Sequence, residues 1–149
     1  MNSERKKRIE RVSGLRRLQE DQASIKVFKD SEAVKNANAM VESAKSDVEY
    51  EASLIVRRAA SEQIFDAGEL ALSSACIVSA REVVVRAEKV VLKTEQKLQR
   101  SRNELVEVHK TVRQMEILQD NLIRESNKAE MREEQNRLDD LASIKATVK

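Results

Sequence analysis

One imidazole and one thiol are the only side chains here with ready acid–base or nucleophilic chemistry near neutral pH: His109 and Cys76. Zinc is held by four ligands, or by three and a water, drawn from Cys, His and carboxylates. One histidine and one distant cysteine do not make that set, so no metal ligand is expected. A serine or cysteine nucleophile needs a base held beside it. Cys76 stands in Ser74-Ala75-Cys76-Ile77-Val78, with no base nearby, and reads as a small apolar residue. There is no GxxxxGK[ST] loop to cradle phosphate. Carboxylates are plentiful, but they alternate with Lys and Arg in the manner of solvated helix faces. No catalytic residue and no cofactor-binding residue is therefore assigned. The chain reads as a binding or mechanical part and not as an enzyme.

The elements that would carry such a part follow from what is missing. The 149 residues contain no proline and two glycines, Gly14 and Gly68. At average usage a chain of this length would hold roughly seven prolines. Proline is the strongest helix breaker and glycine the next, so little interrupts a helix from end to end. Charged residues make up 36% of the chain and Phe, Tyr and Trp 2%, as Phe28, Tyr50 and Phe65. An average domain is about 25% charged, and compact cores lean on aromatic area. The apolar residues present, mostly Ala, Val, Leu and Ile, suit a thin seam between helices.

Apolar spacing locates that seam. In the first half Val34, Val41, Val48 and Ile55 recur every seven residues, with Ala37 and Ala44 at the partner positions of the heptad. Glu51 and Arg58 then fall where apolar residues belong. In the second half Val84, Val91, Leu98, Leu105 and Val112 form one series, and Ala87, Thr94, Ser101, Val108, Met115 and Leu122 the other. Sustained sevenfold spacing is the signature of a coiled coil. Ala, Thr and Ser weaken the knobs, so the helices are expected to be held loosely. Before residue 30 the pattern is looser: Ile9, Val12, Leu15, Leu18, Ile25 and Phe28. Asp30-Ser31-Glu32 reads as a local irregularity without a domain boundary. The pattern thins over 125–137 and returns at Leu138, Leu141, Ile144 or Lys145, and Val148.

The predicted fold is all-α: two long helices forming an antiparallel coiled-coil hairpin, with the reversal near Gly68. Arm one covers about 3–65, the reversal about 66–69 and arm two about 70–147, as a single unit over 1–149. Gly68 can take positive φ and end a helix. Residues facing each other across the hairpin should then have numbers adding to about 136, and residues from about 136 onward should project past the N-terminus. The rival arrangement is one rod of about 220 Å, at 1.5 Å rise per residue, dimerised with a second copy.

Two regions suit binding. Around the reversal, Ile64, Phe65, Leu70, Leu72, Cys76, Ile77 and Val78 are denser in apolar side chains than a two-helix seam requires, and an exposed apolar tip marks a protein contact. At the C-terminus, Leu138, Leu141 and Ile144 or Lys145 make a short amphipathic stripe, which a groove on another protein would cover. Net charge is +2, yet residues 1–17 hold seven basic and two acidic side chains. Such an arm suits an anionic partner. It has no interleaved aromatics for base stacking, so nucleic acid is not an expected partner. The lone cysteine gives no internal disulfide. No apolar run is long enough for a membrane span, and no signal-peptide pattern follows the basic start. The expected location is the cytoplasm.

Taken together, these residues resemble the coiled-coil stalk proteins of type III secretion, the FliJ, YscO and HrpO family. The resemblance spans the whole length in organisation. It has local echoes in Arg8-Ile9 through Leu15-Arg16-Arg17-Leu18-Gln19-Glu20, and in Glu134-Gln135-Asn136-Arg137-Leu138-Asp139-Asp140-Leu141-Ala142. The proline-free arms and low aromatic content look closer to the virulence-associated members than to the flagellar one. The resemblance implies a non-enzymatic stalk in the pore of a hexameric export ATPase. It further implies stimulation of that ATPase, coupling to the cytoplasmic domain of the export gate and, in some members, binding of export chaperones. It implies a place at the inner-membrane secretion apparatus, peripheral and without insertion. On this reading the arm ends meet the ATPase through Arg5, Arg8, Arg11, Arg137, Leu138 and Leu141. The tip meets the gate through Phe65, Leu72, Cys76 and Ile77. The alternative is a homodimeric coiled-coil adaptor or structural protein unrelated to an ATPase.

Overall fold

The computed structural model describes residues 2–61 and 66–147, with side chains from Glu4 to Ser61 and from Asp66 to Ala146. Ile64, Phe65 and Val148, singled out above, lie outside the described residues. The chain is all-α. Helix α1 covers Asn2–Ala60 and helix α2 covers Ala67–Thr147. Their ends follow ordinary helix chemistry. Glu4 and Glu69 lie in the first turns, and Arg57, Arg58 and Lys145 in the last turns. Each complements the partial charge of its helix end. At the end of α1 the Ser61 amide donates to Arg57 O at 3.1 Å and the Ser61 hydroxyl donates to Arg58 O at 2.9 Å.

The break between the two helices lies close to Gly68, as expected, but a few residues earlier than 66–69. Asp66-Ala67-Gly68-Glu69 does not centre a reversal. It opens a helix, with Leu70 N donating to Asp66 O at 3.1 Å as the first intrahelical bond. Asp followed three residues later by Glu is the capping-box spacing. Gly68 sits in that first turn without positive φ, and its missing Cβ would meet only Asp66 Oδ2, at 3.5 Å.

By contacts the chain divides into two units, Met1–Gln22 with Val106–Lys149, and Ala23–Leu105. In the unit Ala23–Leu105 the helices run antiparallel. Lys26 meets Glu104, and Asp30 meets Ser101 and Lys97. These numbers add to about 130, short of the 136 expected, because the break precedes Gly68. Its seam buries Ala37, Val41, Ala44 and Leu98. Val27, Val34, Val48, Val84, Ala87, Val91, Thr94 and Leu105 are half-buried around them. The two series read from α2 thus face α1. Ile25 and Phe28 point outward, at 55% and 67% exposure, while Asp30 is buried.

The unit Met1–Gln22 with Val106–Lys149 is also antiparallel. Glu20 meets His109, and Arg17 meets Glu116. It buries Ser13 and Val112, with Val108, Met115 and Leu122 half-buried. Here too the looser apolar positions Val12, Leu15 and Leu18 face outward. The last half-buried residue of α2 is Ser126, and every described residue from Met131 to Ala146 is exposed.

Candidate functional site

Among the described residues no catalytic constellation forms in either unit. His109 Nδ1 stands 2.5 Å from Glu20 Oε1 and serves as a rung between helices. Cys76 is exposed as a free thiol. Among the described residues no cluster of His, Cys, Asp and Glu is arranged to hold a metal ion. No helix is long and apolar enough to cross a membrane, again among the described residues. The candidate sites are therefore surfaces, together with one polar layer inside a seam.

That layer lies in the unit Ala23–Leu105. Continuing the Ala44–Ala37 series of α1 back by seven residues lands on Asp30. The α2 series Ala87–Thr94 continues to Ser101. The two meet: the Ser101 hydroxyl donates to Asp30 Oδ2, and Lys97 Nζ stands 3.3 Å from Asp30 Oδ1. Ser101 is 1% exposed and Asp30 5%. The Ser101 oxygen also lies 3.1 Å from Lys97 O. A hydroxyl has one proton to give, and an ionised carboxylate is the stronger acceptor. The Ser101 bond holds the Asp30 carboxyl below its ordinary 3.8. Burial opposes that shift, and Lys97 and Lys26 support it. One turn along, Lys26 Nζ donates to Glu104 Oε2 at 2.6 Å, which holds the ammonium above its ordinary 10.5. The sequence reading passed over Asp30 as an irregularity. The signal was the heptad itself, extended one step further.

The tip residues belong to the same unit. Leu72 is 68% exposed, and Cys76, Leu70 and Val78 are exposed as well. Ile77 is half-buried, because it continues the Val84–Val91–Leu98 series on the seam side. Leu72 and Cys76 thus offer their side chains outward more fully than Ile77 does.

The arm-end residues belong to the unit Met1–Gln22 with Val106–Lys149. Arg5, Arg8 and Arg11 are exposed on α1. A groove of about 660 Å³ runs between Arg5, Lys6 and Ile9 of α1 and Leu122, Ile123 and Glu130 of α2. Since Arg5 and Lys6 reach α2 there, Arg137, Leu138 and Leu141 fall beyond the paired region. Leu138 is 61% exposed and Leu141 57%. Arg5, Arg8 and Arg11 are thus not brought together with Arg137, Leu138 and Leu141.

Against that geometry, the family model described as Flagellar FliJ protein matches residues 5–149. The chain belongs to the FliJ family. No curated protein and no solved structure matches it. A FliJ-family chain is a protein of the flagellar and type III export apparatus, and two long packed helices are the form this one takes.

Proposed function

We propose that this FliJ-family protein is a non-enzymatic stalk that binds and stimulates the hexameric export ATPase and couples it to the export gate. The observation that carries the reading is the family match over residues 5–149 on a chain that is two packed helices and little else. The exposed end of α2 supports it. From Met131 to Ala146 no described residue is sheltered, yet Leu138 and Leu141 recur on one face with Arg137 beside them. A helix that carries an apolar stripe past its partner is suited to a groove in another protein. The basic start of α1, with Arg5, Arg8 and Arg11, lies in the same unit and gives an anionic pore a second contact. Leu72 and Cys76, with Ile77 behind them, are the proposed gate contact, and Phe65 belongs to the same segment of sequence. Export chaperones are a further proposed partner. The proposed location is cytoplasmic, peripheral to the inner-membrane apparatus.

The mechanism is differential contact. A stalk without symmetry in a sixfold ring touches some subunits and not others, so it stabilises one arrangement of the ring over the rest. A ligand shifts such an equilibrium only by its difference in affinity for the two states. Modest, uneven contacts through exposed Arg and Leu side chains suit that role better than tight binding at every interface.

The test is to titrate the protein into the source organism's export ATPase while following ATP hydrolysis and hexamer formation together. Stimulation that saturates near one chain per ring supports the stalk. No binding and no stimulation, with a stable dimer of this chain in solution, returns the homodimeric adaptor. Replacing Leu72 and Cys76 with Ser should spare ATPase stimulation and weaken binding to the gate's cytoplasmic domain. If both partners are lost together, the assignment of end and tip is wrong.

A further inference from the structure

Within Ala23–Leu105 the apolar seam is close to degenerate. Val27, Val34, Val41, Val48 and Ile55 repeat every seven residues on α1, and Ile77, Val84, Val91, Leu98 and Leu105 do so on α2. Between them run Ala23, Asp30, Ala37, Ala44 and Glu51 on one helix and Ala80, Ala87, Thr94 and Ser101 on the other, small residues apart from Asp30 and Glu51. Sliding one helix by seven residues lays Val on Val or Leu and small residue on small residue. Apolar contact depends on area and shape and not on which copy of a repeat supplies it, so the apolar seam alone distinguishes these registers poorly. Nor does the reversal end of this unit fix it: every described residue from Val56 to Leu72 is exposed, so a shift there costs no buried contact of a described residue.

The polar contacts are not degenerate: the exposed Lys26–Glu104 pair, half-buried Glu51 and, most of all, the one fully buried layer of this unit, at Asp30. Asp30, 5% exposed, is satisfied by Ser101 and Lys97 together. After a slip of seven residues one way, Asp30 would face Thr94, and Val90 would stand where the Lys97 ammonium was. After the opposite slip, Glu104 would take the place of Lys97 beside the carboxylate. Either takes away the cation that pairs with this desolvated carboxylate across the seam and leaves it the attraction of Lys26 on its own helix, which is costly. Single buried polar residues are known to fix register in coiled coils at some cost in stability.

We propose that Asp30, Ser101 and Lys97 form a register lock, and that releasing it lets the helices of this unit pair in registers one heptad apart. The lock makes the antiparallel pairing a conformational device with discrete settings seven residues apart. It holds whatever partner the protein has.

Disulfide trapping tests it, in the full chain with Cys76→Ser as background. Asp30 faces Ser101, so in an antiparallel pair Ala44, fourteen residues on, faces Ala87, fourteen residues back. Ala44→Cys with Ala87→Cys reports the native register. Ala44→Cys with Ala80→Cys, and with Thr94→Cys, report the two slips. With Asp30 intact, only the native pair should cross-link readily. Asp30→Ala should raise cross-linking of at least one slipped pair by tenfold or more, with helix content retained. Lys97→Leu should do the same to a smaller degree. Cross-linking that stays native in both variants overturns the lock. So does loss of helix in Asp30→Ala, because the lock requires that the apolar seam suffice to hold the helices together.

Discussion

Leu98→Ala and Leu138→Ala make the same chemical change on the same helix in opposite surroundings. Leu98 is 8% exposed, while Leu138 is 61% exposed beyond the sheltered part of α2. Truncating Leu to Ala removes three carbons, and burial of each is worth about 0.8 kcal/mol. Nearly all of that applies at Leu98, giving about 2 kcal/mol. A residual cavity adds to this. A two-helix seam has open edges through which water and neighbouring side chains fill part of it, so the total should stay near 2–3 kcal/mol rather than reach the top of the range for enclosed cores. At Leu138 most of the transfer term is absent, and Ala is a slightly better helix former than Leu. That variant should lie within about 0.5 kcal/mol of the parent. Urea unfolding followed by far-UV circular dichroism measures both. Equal losses at the two positions, or a Leu98→Ala variant as stable as the parent, would refute the placement of the seam and of the overhanging end.

The two glycines make a second contrast. Gly14 has nothing within 4 Å of a built Cβ and Gly68 has only an ordinary contact, so Gly→Ala at each should stabilise by about 0.5–1 kcal/mol. A loss at Gly68 in the same urea assay would restore the positive φ that the sequence suggested. The Asp30 carboxyl is held below its ordinary 3.8, first by Ser101 and then by Lys97 and Lys26 against burial. A depressed folded-state value means that its contribution is present above the unfolded value and is lost as pH falls through the folded one. Stability should therefore drop below about pH 4 more steeply in the parent than in Asp30→Asn, and parallel acid titrations of the two would contradict this. Deleting residues 131–149 should leave helix content per residue and the urea midpoint almost unchanged, since no described residue from Met131 to Ala146 is sheltered, while ATPase stimulation is lost. A truncated chain that stimulates normally removes the C-terminal stripe from the interface.

What could be read in the sequence was whatever repeated. Val84 to Val112 and Ala87 to Leu122 face α1 as the sevenfold count required, because a seven-residue step returns to nearly the same helix face every two turns. The same continuity explains where the reading failed. In the unit Ala23–Leu105 the strong Val34–Val41–Val48 face, carried backward, turns Val27 and Asp30 inward and leaves Ile25 and Phe28 outside. Local hydrophobicity pointed to Phe28, but the phase set by the neighbouring heptads won. At the break, Gly68 drew attention as a helix ender, whereas Asp66 and Glu69 were the stronger signal for a helix start. The surfaces offered to partners were legible only as apolar residues in excess of the seam. Periodicity can show that Leu138 and Leu72 lie outside a two-helix contact, but it carries no trace of the surfaces that would cover them.

The balance of buried and exposed apolar residues bears on how such a protein works. Among the described residues five apolar side chains are buried, and two of them, Ala37 and Ala44, are alanines. Large apolar side chains such as Leu15, Leu18, Val85 and Leu92 remain exposed. Stability follows buried area, so each unit is held by little, and a contact with a partner changes its stability by a large fraction. A rigid, fully buried bundle would present a polar surface and a single setting. A thin seam with apolar residues left outside lets binding free energy choose how the helices pair, provided that something prevents random sliding in the free protein. The Asp30 layer supplies that restraint at one level of one unit. The coupling it predicts is directional: a partner that binds a shifted register must overcome the desolvated carboxylate, so Asp30→Ala should bind such a partner more tightly than the parent. A partner indifferent to register should bind the two chains alike. Comparing the two affinities for the isolated ATPase and for the gate's cytoplasmic domain would show which contact, if either, reads the register.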